Sequence, residues 1–153
     1  MENHNRATGN RREFLSRSAA AISIPTVISA SALGLGAAVA PSDRITIGMI
    51  GIGRQARAYN LPWFLRSKET EVVAVCDVDS WRLKNAAGMV EQSGGTANSH
   101  ADFRELLDDS SVDAVMVSTP DHSHVPISIA ALRKGKDVCC EKPITKSIAE
   151  GRR

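Results

Sequence analysis

Aromatic side chains are scarce here: two Trp, one Tyr and three Phe in 153 residues. Without them there is no platform on which single-stranded bases could stack. Net charge is nearly absent as well. The formal balance is +2, and Arg6, Arg11, Arg12 and Arg17 against Glu2 and Glu13 supply that excess before Ser18. From Asp43 onward acidic and basic residues number fifteen each, so no one-sided basic surface exists to displace counterions from a phosphate backbone. Nucleic acid is therefore excluded as a partner. Cysteine is sparse too, with Cys76, Cys139 and Cys140 too few and too close for a disulfide framework. Neighbours on a strand point to opposite faces, which makes the vicinal pair a poor disulfide. All three are expected as buried strand thiols packed as small hydrophobes, with a redox role for Cys139 and Cys140 the lesser alternative.

What is present suffices for one core. With 42% hydrophobic residues, a chain of this length builds one ordinary domain at most.

Residues 1–42 read as an address. Asn10-Arg11-Arg12-Glu13-Phe14-Leu15 precedes an uncharged stretch from Ser18 to Ser42 that is rich in Ala, Ser and Gly. The segment resembles a twin-arginine export signal, with the arginine pair one residue ahead of Phe-Leu and only mild hydrophobicity behind it. A spanning helix needs about 20 strongly apolar residues, and Pro25, Gly34, Gly36 and several serines oppose one. Ala38-Val39-Ala40 has the small-x-small form a signal peptidase reads, but Pro41 follows and disfavours cleavage. An uncleaved signal would tether the domain to the outer face of the inner membrane. The resemblance implies the twin-arginine translocase as a partner and a periplasmic or exported location.

From residue 43 to 153, strand and helix patterns alternate. Ile45 to Ile50 is a short apolar run ending in glycine, the mark of a buried parallel strand. Arg54 to Arg66 reads as a helix that Pro62 must bend, or in which it begins a second short turn. Glu71 to Cys76 is β-branched and apolar, the second strand. Asp79 to Gln92 is helical, closed by Gly94-Gly95. Thr96 to Ser99 is the weakest strand pattern. Asp102 and Glu105 have capping-box spacing before Phe103, Leu106 and Leu107. Asp113 to Ser118 is the fourth strand, Val125 to Lys134 a helix stopped by Gly135, and Lys136 to Glu141 the fifth strand. Ser147 and Glu150 form another capping box. The alternation predicts an α/β fold with a doubly wound parallel sheet, whose ligands sit beyond the carboxyl ends of the strands.

Directly after the first strand stands Gly51-Ile52-Gly53-Arg54-Gln55-Ala56, a G-x-G-x-x-A turn. Gly51 permits the turn, Gly53 lets backbone approach a pyrophosphate, and Ala56 lets the helix pack close. The helix amino terminus, with Arg54 beside it, faces the phosphates. Glycine turns are common, but this one follows a strand, opens a helix, and is matched by Asp77 at the end of the second strand. A carboxylate there accepts hydrogen bonds from ribose hydroxyls and repels a 2′-phosphate. The cofactor is thus NAD or NADP, with NAD preferred and Arg82 able to reach a phosphate.

The fourth strand ends in Ser118-Thr119-Pro120-Asp121-His122-Ser123-His124, and the fifth in Glu141-Lys142-Pro143. With the glycine turn, this pattern resembles the glucose-fructose oxidoreductase, inositol dehydrogenase and rhizopine-catabolism (Gfo/Idh/MocA) family, over nearly all of residues 44–153. The resemblance implies a Rossmann domain in which Thr119 and Pro120 line the cofactor and Lys142 lies beside the nicotinamide and the reacting carbon. Glu141 supports that site, and in relatives the bond before Pro143 can be cis. His124, more than His122, is placed near the nicotinamide. The H-x-H order has no third ligand nearby, so no metal is assigned. Lys142 supplies the chemistry, since a cation stabilises developing alkoxide and a desolvated lysine can move a proton.

Relatives add a last strand and a second α/β domain that carries a histidine acid/base and the sugar contacts. The chain is expected to be the nucleotide-binding part, truncated before both and inactive alone. The full-length form would be an NAD(P)-dependent oxidoreductase acting on a sugar, polyol or related hydroxyl compound as a homo-oligomer. Two alternatives stand beside it: an exported NAD-dependent glycoside hydrolase, and a non-catalytic dinucleotide-binding protein.

Overall fold

A computed structural model of the chain describes residues 39–152. Most of the expected export signal, including Arg11 and Arg12, lies outside them. Five parallel strands form one sheet in the order β3-β2-β1-β4-β5. They are β1 Ile45–Ile50, β2 Thr70–Cys76, β3 Asn98–His100, β4 Ala114–Val117 and β5 Asp137–Cys140. This is the doubly wound arrangement, with the order reversing between β1 and β4.

Alternation along the strands splits the core in two. Ile47 and Met49 of β1, Val72 and Val75 of β2 and Met116 of β4 pack with Leu61, Ala86 and Val90 on one face. Those last three belong to helices α1 Leu61–Arg66 and α2 Ser80–Gln92. Ile50, Ala74, Cys76, Val115 and Val117 pack on the other face with Leu106, Leu107, Ile127 and Ala131. Those come from α3 Phe103–Asp108 and α4 His124–Arg133. A register shift between Ile47 and Gly48 sets the phase of β2, so that Val73 and Ala74 both serve this second face. Gly48 has a packing reason of its own: a Cβ there would lie 2.7 Å from Leu106 Cδ2. The bare backbone lets α3 seat against the sheet.

The expected helix from Arg54 to Arg66 is continuous, but its middle, Ala56–Asn60, is a π turn rather than α. Pro62 lacks an N–H and crowds the carbonyl four residues earlier, and the wider turn stands just before it. The third strand sits one to two residues later than its sequence pattern implies. The helix stops at Gly94 and Gly135 hold, at φ +87° and +74°.

Two expectations need correction. Asp102 caps its helix without forming the capping box: its carboxylate accepts from Arg104 N–H at 2.9 Å rather than from Glu105, and the Glu105 side chain turns to His100 at 3.8 Å. The cysteines are not uniformly buried. Cys76 is buried, Cys140 half-buried and Cys139 exposed, because among the described residues β5 pairs only with β4 and just one of its faces meets the core. Burial first, and then the charge of Asp77, pushes the Cys76 thiol up to about 12, which makes it inert.

Candidate active site

The carboxyl ends of β1, β2, β4 and β5 converge on one side of the sheet, where the informative residues gather. At the end of β1 the chain turns through Gly51, φ +87°, whose missing Cβ would stand 2.8 Å from the Thr119 methyl and backbone nitrogen. Here close approach between β1 and the β4 loop requires glycine, in addition to the turn itself. Gly53 is different. A Cβ there would meet nothing within 4 Å, so no protein atom accounts for its bareness. Ala56 is fully buried under the helix, and Arg54 is exposed at its opening.

Asp77, 8% exposed, binds the turn from the end of β2. Its Oδ2 accepts from Ile52 N–H at 2.6 Å, and its Oδ1 from Asp79 N–H at 2.9 Å. Each carboxylate oxygen keeps a second lone pair, so Asp77 can still accept from a ribose while it holds the turn between the two glycines. That second duty was not legible in the sequence.

Beyond β4, Thr119 and Pro120 lead into a 3-10 turn, Asp121–Ser123, which runs into α4. His124 is 1% exposed, with Nδ1 2.7 Å from the Pro143 carbonyl oxygen and Nε2 2.8 Å from that of Thr119. The histidine is a clamp between the β4 and β5 loops, with a backbone carbonyl facing each ring nitrogen. His122 is exposed. The Lys142–Pro143 bond is cis.

Gln55, Ser118, Thr119, Asp121, His124, Glu141 and Lys142 line a crevice of about 250 Å³. Lys142 is exposed there and Glu141 half-buried. Asn60 donates to Glu141 Oε1 at 2.9 Å and Gln55 at 3.3 Å. These bonds, Asn60 foremost, hold the Glu141 carboxyl below the usual carboxylate range, with the Lys142 N–H and charge adding to them. Gln55 and Asn60 carry no signal in the sequence, because five-residue spacing does not share a face of an α-helix.

The arrangement fits a nicotinamide dinucleotide. The open space over Gly53 suits a pyrophosphate, Asp77 has spare acceptors, and the buried Thr119 Oγ1 has no partner among the described residues. Gly51, Gly53, Asp77, Thr119, Pro120, His124, Glu141 and Lys142 thus all stand at the strand ends. His124 meets protein backbone at both ring nitrogens, Asp77 keeps spare lone pairs beside its two backbone bonds, Lys142 is exposed, and Thr119 Oγ1 is left without a partner among the described residues.

Comparison with known proteins agrees with this geometry. A Glycosyl hydrolase family 109 protein of Stenotrophomonas maltophilia is 34% identical over 139 residues, covering 86% of this chain and 29% of its own length. The Inositol 2-dehydrogenase of Rubrobacter xylanophilus is 33% identical, covering 73% of this chain and 31% of its own. Among solved structures, KijD10, a 3-ketoreductase from Actinomadura kijaniata in complex with NADP, superposes with TM-score 0.64 at 33% identity. It covers 72% of this chain and 34% of that one. The myo-inositol dehydrogenase of Lactobacillus casei, in complex with NAD(H) and myo-inositol, gives 0.65 at 29% identity, covering 72% and 32%. The chain therefore spans about a third of the length of such relatives. The oxidoreductase family GFO_IDH_MocA, described as an NAD-binding Rossmann fold, matches residues 45–153, and the chain belongs to that family.

Proposed function

We propose that this chain is the NAD(P)-binding part of an oxidoreductase that moves hydride between nicotinamide and a sugar, polyol or related hydroxyl compound. One observation carries the reading: Lys142, Glu141 and Thr119 line a single crevice beside a glycine turn whose Gly53 has open space above it. Gly51 and Gly53 would seat the pyrophosphate, with Asp77 accepting from the adenosine ribose. Thr119 Oγ1 is free to bond the cofactor, and Pro120 shapes the loop around it. When bound, the nicotinamide ring supplies the carbon that takes or gives hydride. Lys142 presents a cation to the substrate oxygen, stabilising negative charge as the hydroxyl proton leaves. Glu141 supports that lysine from the preceding peptide.

The carboxylate of Asp77 favours NAD, since a 2′-phosphate would stand against it. Relatives occur with either cofactor, NADP in the Actinomadura ketoreductase and NAD(H) in the Lactobacillus dehydrogenase. The Arg11-Arg12 pair before Phe14-Leu15 supports export by the twin-arginine translocase, which would put the enzyme in the periplasm or at the outer face of the inner membrane.

A second reading is kept because a family 109 glycosyl hydrolase covers more of the chain than the inositol dehydrogenase does. Such an enzyme would use held NAD without net turnover; the intact Glu141-Lys142-Pro143 favours the first reading. The deciding assay uses the full-length protein. Net NADH formation with sugars or polyols is expected; sugar release from a glycoside at constant NAD would establish the hydrolase instead. In the same background, Lys142→Ala is expected to lower turnover by roughly a hundredfold or more. Unchanged turnover would remove the lysine from the mechanism and leave a binding protein as the better description.

A further inference from the structure

We propose that Asn60 is a positioning residue for Lys142, acting through the Glu141 carboxylate, and that the π turn Ala56–Asn60 is what brings it there. The proposal deepens the functional reading above and rests on Lys142 as the group that meets the reacting oxygen.

In an α-helix, residues five apart stand about 140° apart around the axis. Gln55 and Asn60 would then face different directions. In this chain Leu61 N–H bonds to Ala56 O, the wider ring of a π turn, which rotates the two amides toward one another. Both consequently reach one atom, Glu141 Oε1, Asn60 at 2.9 Å and Gln55 at 3.3 Å. Asn60 Nδ2 also donates to Ser118 Oγ at 2.9 Å, so both of its protons are spent. One side chain thereby ties the helix behind the glycine turn to the ends of β4 and β5. Glu141 Oε2 in turn accepts the Lys142 backbone N–H at 3.3 Å. Because the acceptor is ionised, these bonds are stronger than neutral ones and keep the carboxylate charged. A charged Glu141 is an acceptor only, and its second oxygen stays committed to the peptide that carries Lys142. A protonated Glu141 would need an acceptor of its own and would compete with that bond.

The test is an NMR titration of this chain labelled at glutamate carboxyls and backbone nitrogens. In the wild type the Lys142 amide resonance is expected to follow Glu141 as acid is added. Asn60→Ala is expected to move both transitions to higher pH together, with the melting temperature within about 3 °C of wild type. Asn60→Asp, nearly equal in shape, removes the donors while keeping the volume, and should move them further the same way. Gln55 is exposed, so Gln55→Ala leaves the core alone and should give a smaller shift of the same sign. A Glu141 transition that stays put in all three variants overturns the proposal, as does a Lys142 amide indifferent to Glu141 in the wild type. These readings do not depend on turnover. If Glu141 responds as expected while Lys142→Ala leaves hydride transfer intact, the role assigned to the lysine falls while the tie from Asn60 to its peptide stands.

Discussion

Gly51 lies at φ +87°, and any side chain there would strike the Thr119 backbone at 2.8 Å. Gly53, two residues on, would strike nothing. The two glycines can therefore be separated by experiment. Gly51→Ala combines an unfavourable backbone region with a steric overlap and is expected to cost about 2–4 kcal/mol in urea unfolding. Gly53→Ala should leave stability within about 0.5 kcal/mol while weakening NADH binding roughly tenfold or more, because its methyl would occupy the space a phosphate needs. Equal losses of stability in the two variants would show that Gly53 serves the fold. Both glycines were legible in the sequence as a G-x-G turn. The contact that makes Gly51 indispensable was not, since it comes from the β4 loop. Asp77 shows the same division: its place at the end of β2 is a sequence pattern, but its bond to Ile52 N–H joins residues 25 apart.

At the scale of elements, the strands and helices follow the sequence closely where hydrophobic period is strong, as in β1, β2 and α2. The short β3 drifted by one or two residues because its polar residues leave register to the neighbouring strand. The π turn had no sequence mark beyond Pro62. Carboxylates fasten several elements to one another. Asp113 Oδ2 accepts from Thr46 N–H at 3.1 Å and Thr46 Oγ1 at 2.8 Å, joining β1 to the start of β4. Asp109 accepts from Ser111 and from Asn98 of β3, which holds its carboxyl down at about 2 against an ordinary 3.8. The Thr46 bonds lower Asp113 likewise. A carboxylate with a depressed folded value stabilises the fold fully above its unfolded value and loses that contribution as pH falls toward the folded one. The Asp109 share is thus complete above about pH 4 and vanishes on approach to about pH 2. Urea midpoints should fall across that window, and fall less in Asp109→Asn; parallel profiles for the two proteins would contradict the assignment.

For the whole molecule, the sheet order places the four informative strand ends on one edge of the domain, around the point where β1 and β4 part. A ligand that binds only the folded state there must raise its stability. NADH at about a hundredfold over its Kd should contribute about 2.7 kcal/mol, a rise of several degrees in melting temperature for a domain this small. No rise with either NADH or NADPH would remove the cofactor reading. The sequence by itself determined the parallel α/β plan, the glycine turn, the acidic residue after β2 and the lysine after β5. Those are local matters of period, side-chain size and position relative to a strand end. Only the tertiary structure decided which polar groups meet: Asn60 with Glu141 across 81 positions, Gln55 with Glu141 across 86, and His124 between two loop carbonyls. Those pairings depend on the width of one helical turn and on β1 and β5 both flanking β4, and neither is written in any short stretch of the chain.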